Sequence, residues 1–141
     1  MKVKEIMTKD PAVCKPDTPL RDVAILMVDR DCGQIPVIES SETQRPIGVV
    51  TDRTIIVRAV ARGMNPLHLT AADVMTSPAL TVTPETPVED CAEALADRRV
   101  RRMPVISADG VCQGIVSQAD IAQHAPGKLT AKVVRTVSEP I

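Results

Sequence analysis

The sequence predicts an α/β (α+β) fold in which one supersecondary unit occurs twice. Each copy is a small sheet with two main helices, and a pseudo-twofold relates the copies. Three observations predict this. Segments return in order at a separation of 68 residues: Ile6-Met7-Thr8 as Val74-Met75-Thr76, Pro16-Asp17-Thr18-Pro19-Leu20 as Pro84-Glu85-Thr86-Pro87-Val88, and Ile35-Pro36-Val37-Ile38 as Met103-Pro104-Val105-Ile106. Gly48-Val49-Val50-Thr51 returns as Gly114-Ile115-Val116-Ser117 at 66, so the second hairpin is two residues shorter. Self-similarity of this length marks a whole structural unit. The apolar pattern also changes period inside each copy, from helical spacing (Leu20, Val23, Ala24, Met27) to short continuous runs (Ile35 to Ile38, Ile47 to Val50). Finally, 141 residues suffice for a real core, and with no Phe, Trp or Tyr that core is aliphatic.

In chain order, Lys2 to Met7 reads as a short lead-in helix and Pro11 to Lys15 as an extended linker held out of the α region ahead of Pro16. Thr18 is the expected cap of the first main helix, with Pro19 at its first position. Ile35 to Ile38 and Ile47 to Val50 are strands joined by the polar loop Ser40 to Gln44. Thr51 and Asp52 open a helix that Gly63 closes. Met64 to Leu69 connects the copies, Thr70 and Asp73 form a capping box, and Pro78 to Val82 is the second linker. Thr86-Pro87-Val88-Glu89 is read as another capping box before an apolar face of Val88, Cys91, Ala92 and Leu95. Met103 to Ile106 and Gly114 to Val116 form a hairpin turned at Asp109-Gly110. The helix from Ser117 ends near His124, before Pro126-Gly127. Leu129, Val133, Val134 and Val137 give the tail a helical pattern after Thr130. The expected divisions are repeat one at 1–66, repeat two at 67–125 and a tail at 126–141.

Composition narrows the function classes. A net charge of −1 gives no bulk pull toward nucleic acid or membrane. Without aromatic rings there is no platform for stacking bases. No apolar run approaches the ~20 residues of a membrane span, and Met1 to Glu5 has no signal-peptide core, so the expectation is a soluble, cytoplasmic chain. Cys14, Cys32, Cys91 and Cys112 form no Cys-x-x-Cys pair and no zinc-ligand spacing with His68 or His124. They read as reduced thiols, and the methionines Met7, Met27, Met75 and Met103 read as core fillers. No metal is expected.

The most informative stretch is Gly114 to Ile121. A strand runs into a helix capped by Ser117, and Asp120 falls in its first turn. A hydroxyl, a carboxylate and free N–H groups converge where a sugar phosphate could be held. The plainer reading is a capping box that serves only the helix.

With x-Met-Thr at the start, Thr-Pro before the first main helix, an apolar-Pro-Val-apolar strand and Gly-apolar-apolar-Thr/Ser at the end, each copy resembles the cystathionine β-synthase (CBS) domain. Two in tandem resemble a Bateman module, over residues 1 to about 125. Arg101-Arg102-Met103-Pro104-Val105 and Thr51-Asp52-Arg53 resemble small bacterial proteins made of little else. The resemblance implies clefts for an adenosyl ligand: AMP, ADP, ATP, S-adenosylmethionine or similar. It implies that Ser117 and Asp120 take the phosphate and ribose, that Ala12, Cys32, Gly33 and Ile35 frame the adenine, and that Arg102 reaches the phosphates. The pseudo-symmetric cleft would use Thr51, Thr54, Ala79, Leu80, Val100 and Arg101. There the pattern departs, because Thr54 stands where Asp120 stands and Gln34 where Arg102 stands. Asp52 is no substitute, lying about 200° of helix away. This cleft is expected to be weak or empty.

The sequence holds no catalytic constellation. Ser117 has no nearby His to activate it, and there is no Gly-rich phosphate loop. The leading expectation is a homodimeric regulatory module that senses an adenine nucleotide, needs no cofactor and informs a partner protein. Its rivals are a ligand-free dimerisation or interaction module and a thiol redox sensor using Cys14 or Cys32. Arg98 and Arg99 are expected to be a solvated helix end.

Overall fold

The computed structural model describes residues 1–125 and 127–139. Pro126, the expected stop before the tail, and Pro140 and Ile141 of that tail lie outside them. A single 3₁₀ turn at Val3–Glu5 leads into strand β1 (Thr8–Lys9), followed by helix α1 (Leu20–Arg30), β2 (Gln34–Ile38), β3 (Pro46–Thr51) and α2 (Asp52–Ile55). Helix α2 continues through one wider turn over Ile56–Val60. A 3₁₀ turn at Pro66–His68 precedes α3 (Ala71–Val74), α4 (Val88–Arg98), β4 (Arg102–Ile106), β5 (Cys112–Ser117), α5 (Gln118–His124) and α6 (Gly127–Val137).

The chain forms two compact units that do not follow the sequence repeats. One contains Met1–Asp10, Leu80–Asp109 and Gln113–Ile141; the other contains Pro11–Ala79 and Gly110–Cys112. Each unit thus takes its lead-in segment from the opposite repeat. In the unit of the second repeat, β1 pairs antiparallel with β5 (Thr8 opposite Ile115), giving a sheet in the order β1-β5-β4. In the unit of the first repeat, β2 and β3 form the hairpin and Thr76 bridges Val49. Val82 beside Val105, and Cys14 beside Val37, are corresponding parallel bridges from the two linkers.

This exchange explains two departures from the sequence reading. Lys2 to Met7 holds only a single 3₁₀ turn, Val3–Glu5, and the chain then enters strand β1 at Thr8–Lys9. The Val3 and Lys4 N–H groups donate to the Thr86 and Pro84 carbonyls (2.9 and 3.0 Å), which draws the backbone into pairing. Thr18 and Thr86 do not cap the main helices. Pro19 and Pro87 occupy the cap positions in extended conformation (ψ 137 and 143), with no side-chain cap bond. The first helical N–H groups donate instead to lead-in carbonyls, Leu20 to Leu69 and Val88 to Met1, each at 2.9 Å. The threonines close the preceding turns, Thr18 Oγ1 accepting from Lys15 N–H and Thr86 Oγ1 from Thr83 N–H.

Each unit has its own aliphatic core. Val88, Leu95, Val105, Val116 and Ile121 lead one, and Leu20, Val23, Ile35, Val37 and Val50 the other. Met103 is buried, while Met7, Met27 and Met75 pack on the margins. The tail helix α6 starts earlier than expected, at Gly127, and packs on α4 and α5 with Val133 fully buried. Among the described residues no helix is long and apolar enough to cross a membrane.

Candidate functional site

Ser117 leaves β5 in extended conformation, so its side chain overhangs the first turn of α5. Its N–H and its hydroxyl both donate to Asp120 Oδ2 (2.9 and 3.0 Å), and its Oγ accepts the Asp120 N–H at 3.1 Å. The capping box is therefore real, and both bonds to the carboxylate fall on one oxygen. Among the described residues no hydrogen bond engages Asp120 Oδ1. A carboxylate has about four lone-pair sites, so this half-buried group keeps acceptor capacity for two ligand hydroxyls. The Gln118 N–H donates to the Arg101 carbonyl (2.8 Å), fastening the start of β4 beside the cap. Arg102, the first residue of β4, is half-buried; Arg101 is exposed, and Val100 and Leu80 pack on the core margin.

Gln118 adds a feature the sequence did not flag: its Oε1 is buried and meets no donor among the described residues. No residue pattern marks it, because a glutamine between a cap serine and its carboxylate is ordinary. Behind the cap, burial pushes the Cys91 thiol up to about 11, and the negative field of Asp120 adds to the shift.

The corresponding place in the first repeat has the same backbone and different chemistry. The Thr51 N–H donates to Thr54 Oγ1 (3.0 Å), and Thr51 Oγ1 accepts the Thr54 N–H (3.0 Å). The Asp52 N–H donates to the Gly33 carbonyl (3.1 Å), as Gln118 does to Arg101. Asp52 turns back on its own helix, Oδ1 accepting the Arg53 N–H. Of the residues expected to frame adenine, Ala12, Cys32 and Gly33 are half-buried members of this unit, and Ala79 is half-buried beside them in sequence order at its end. Ile35 is fully buried in the core and has no surface to offer a ligand, a correction to its expected role. Cys14 is buried too, and desolvation pushes its thiol up to about 12, opposite to what a reactive thiolate needs. No group of three or more His, Cys, Asp or Glu among the described residues is placed to hold a metal ion.

The sequence profile of the CBS domain matches residues 3–60 and again 71–127. The chain belongs to the CBS-domain family. Hypoxic response protein 1 of Mycobacterium tuberculosis is 30% identical over 122 residues, which cover 86% of this chain and 83% of that protein. An uncharacterised protein of Methanopyrus kandleri is 29% identical over 124 residues, 88% of this chain and 62% of its own length, so this chain spans less than two thirds of it. Among solved structures, the CBS-domain protein of Pyrobaculum aerophilum complexed with AMP superposes with a TM-score of 0.80 at 23% identity, covering 96% of this chain and 99% of that one. The fold is that of a tandem CBS pair, and the four repeated motifs of the sequence fall within the two matched stretches. The Ser117–Asp120 cap and the Thr51–Thr54 cap are thus equivalent positions of two CBS repeats, one charged and one neutral.

Proposed function

We propose that this CBS pair is a regulatory module that holds an adenosyl ligand such as AMP, ADP or ATP and reports its state to a partner protein. Asp120 accepts from the ribose hydroxyls, Ser117 positions that carboxylate and contacts the phosphate end, and Arg102 supplies the phosphate charge. The observation that carries this reading is the unengaged Asp120 Oδ1 in a cap that Oδ2 already completes. The module works in the cytoplasm as a homodimer. Support for the dimer comes from Ile25 and Val28 on α1 and Ile56, Val57 and Val60 on the extended α2, all exposed, whereas the equivalent helices of the second repeat are covered by α6.

The test is spectroscopic and thermal. With no Trp or Tyr the protein is nearly transparent near 280 nm, so a co-purified nucleotide shows as a peak near 260 nm. Added AMP, ADP or ATP should raise the melting temperature, since ligand at a hundredfold excess over its Kd stabilises by roughly 2.7 kcal/mol. Asp120→Ala should weaken binding by on the order of 1–3 kcal/mol. A flat spectrum together with no thermal shift at millimolar nucleotide would leave the ligand-free interaction module in its place.

A further inference from the structure

The second repeat carries a helix that the first repeat does without. Helix α6 lies on α4 and α5 with Val133 fully buried and Leu129 and Val137 packed on the same core, an apolar row at i, i+4 and i+8. Lys128, Lys132 and Arg135 form a second row, and Gly127–Val137 contains no acid, so α6 is purely basic. Helix α4 is its opposite. Val88–Arg98 holds Glu89, Asp90, Glu93 and Asp97 against the single base Arg98. The two charge rows meet at Lys132 Nζ and Glu93 Oε1, 3.6 Å apart. In the first repeat α1 is balanced, with Arg21 and Arg30 against Asp22 and Asp29. There the chain after the extended α2 supplies only the 3₁₀ turn Pro66–His68, and Val28 is 79% exposed where its equivalent Ala96 is 4%. That unit still closes its own core. A repeat of this fold therefore does not need the cover, and an acidic α4 under a basic α6 is a recognition pattern added to it.

The cover is also lightly held. Five of the eleven residues of α6 are β-branched (Thr130, Val133, Val134, Thr136 and Val137), and the helix starts on glycine. So short a segment has little helix tendency of its own and stays folded because of the face beneath it. The Thr130 hydroxyl donates to the Ile121 carbonyl at 3.3 Å. The Lys132–Glu93 and Arg99–Glu139 pairs are long (3.6 and 3.7 Å) and about half exposed, where ion pairs contribute little. We propose that the α4–α5 face is a docking surface for a basic amphipathic helix of a partner protein, and that α6 is its resident, displaceable occupant. The partner helix presents an apolar row with the spacing of Leu129, Val133 and Val137, flanked by Lys or Arg to meet the Glu89, Glu93 and Asp97 row of α4. This names the chemistry of the partner in the regulatory reading above and rests on that reading only for the partner's existence.

The probe is a synthetic peptide of residues 127–137, added unlabelled to the full chain carrying nitrogen-15. Tethered to its own face, α6 acts at an effective concentration of roughly millimolar, so millimolar peptide is needed to compete. The expected result is that the α6 amide resonances move to random-coil positions as peptide is added, while those of α1, β2 and β3 stay. Val133→Asp, which undocks the resident helix, should bind fluorescein-labelled peptide at least tenfold more tightly by anisotropy. A peptide carrying Lys128→Glu, Lys132→Glu and Arg135→Glu should bind at least tenfold more weakly. Equal binding of the basic and charge-reversed peptides, or α6 resonances unmoved at millimolar peptide, overturns the proposal. So does a Val133→Asp chain whose mass by light scattering rises above that of the unaltered protein, since the bared face would then take a second copy. The titration of the unaltered chain decides the matter if Val133→Asp misfolds. Displacement of α6 that is the same with and without saturating AMP would keep the docking surface and remove the nucleotide-reporting part of the function proposed above.

Discussion

Gly114→Ala probes the contact on which the exchanged lead-in segment depends. A β-carbon at Gly114 would lie 2.7 Å from the Thr8 carbonyl oxygen and 3.0 Å from Met7 Sδ. Ordinary contact begins near 3.4 Å, and the nearer clash is with backbone, which cannot swing aside. Relief requires β1 to move off β5, straining the pairs Thr8–Ile115 and Lys9–Gly114. Overpacking of this kind costs about 1–3 kcal/mol. Gly114 has no positive φ, so alanine also gains up to ~1 kcal/mol by restricting the unfolded chain, and the net loss is about 1–2 kcal/mol. At this size that is a drop of roughly 3–8 °C in Tm. Gly48→Ala should behave alike, its β-carbon meeting the Thr76 carbonyl at 2.8 Å. Gly127→Ala is the control, with nothing within 4 Å, and should leave Tm unchanged or slightly raised. Circular dichroism at 222 nm reads all three. Gly114→Ala melting with the Gly127 control would refute the close approach of β1 to β5.

Three further outcomes are expected. Val133→Ala should destabilise by about 1–3 kcal/mol in urea unfolding, and Val134→Ala, at a position 43% exposed, by far less; equal effects would mean that α6 presents a different face. Glu85 bridges Lys2 and Lys4 (2.6 and 2.9 Å), and the hydrogen bonds from these two lysines lower its pKa from 4.5 to about 2. A depressed carboxylate stabilises above its ordinary pKa and loses that contribution as pH falls through the folded value, so the Tm difference between the protein and Glu85→Gln should shrink between about pH 4.5 and 2 and also in high salt. Cys14 and Cys91, buried and pushed up to about 12 and 11, should resist alkylation at pH 8 in the folded protein, as read by intact-mass spectrometry; rapid labelling of Cys14 would revive a thiol sensor.

The repeat, the strands and the Ser117–Asp120 box were legible because side chains encode them: β-branched runs, Gly before the strand end, a hydroxyl three residues before a carboxylate. The exchange of lead-in segments was not, since it is made by backbone groups such as Val3 N–H to Thr86 O, which any residue supplies. The Thr-Pro motif misled for the same reason. Its threonine does fix the chain locally, but through Lys15 N–H, and a main-chain carbonyl from the opposite repeat takes the helix donor. Gln34 was visible as a substitution for arginine, yet its burial was not: a polar residue at the edge of an apolar run points inward or outward with equal economy of sequence. Ile35 shows the converse, since its apolar character fits an adenine wall and a core alike, and the structure puts it in the core.

The duplication also separates what the caps need from what they carry. Thr54 Oγ1 receives the Thr51 N–H at 3.0 Å, and Asp120 Oδ2 receives the Ser117 N–H at 2.9 Å. Each helix start is closed equally well, so a neutral hydroxyl meets the structural demand. The carboxylate at 120 then brings a half-buried negative charge and an unengaged oxygen that the helix does not require. Dipole stabilisation at the helix start does not account for it, because the first repeat's α2 has the same dipole and does without a carboxylate at the equivalent position. The difference between the two CBS repeats therefore lies in what each cap can accept from outside. That is why Asp120→Ala and Thr54→Ala should cost similar stability in the ligand-free protein, while only Asp120→Ala should abolish nucleotide-dependent stabilisation.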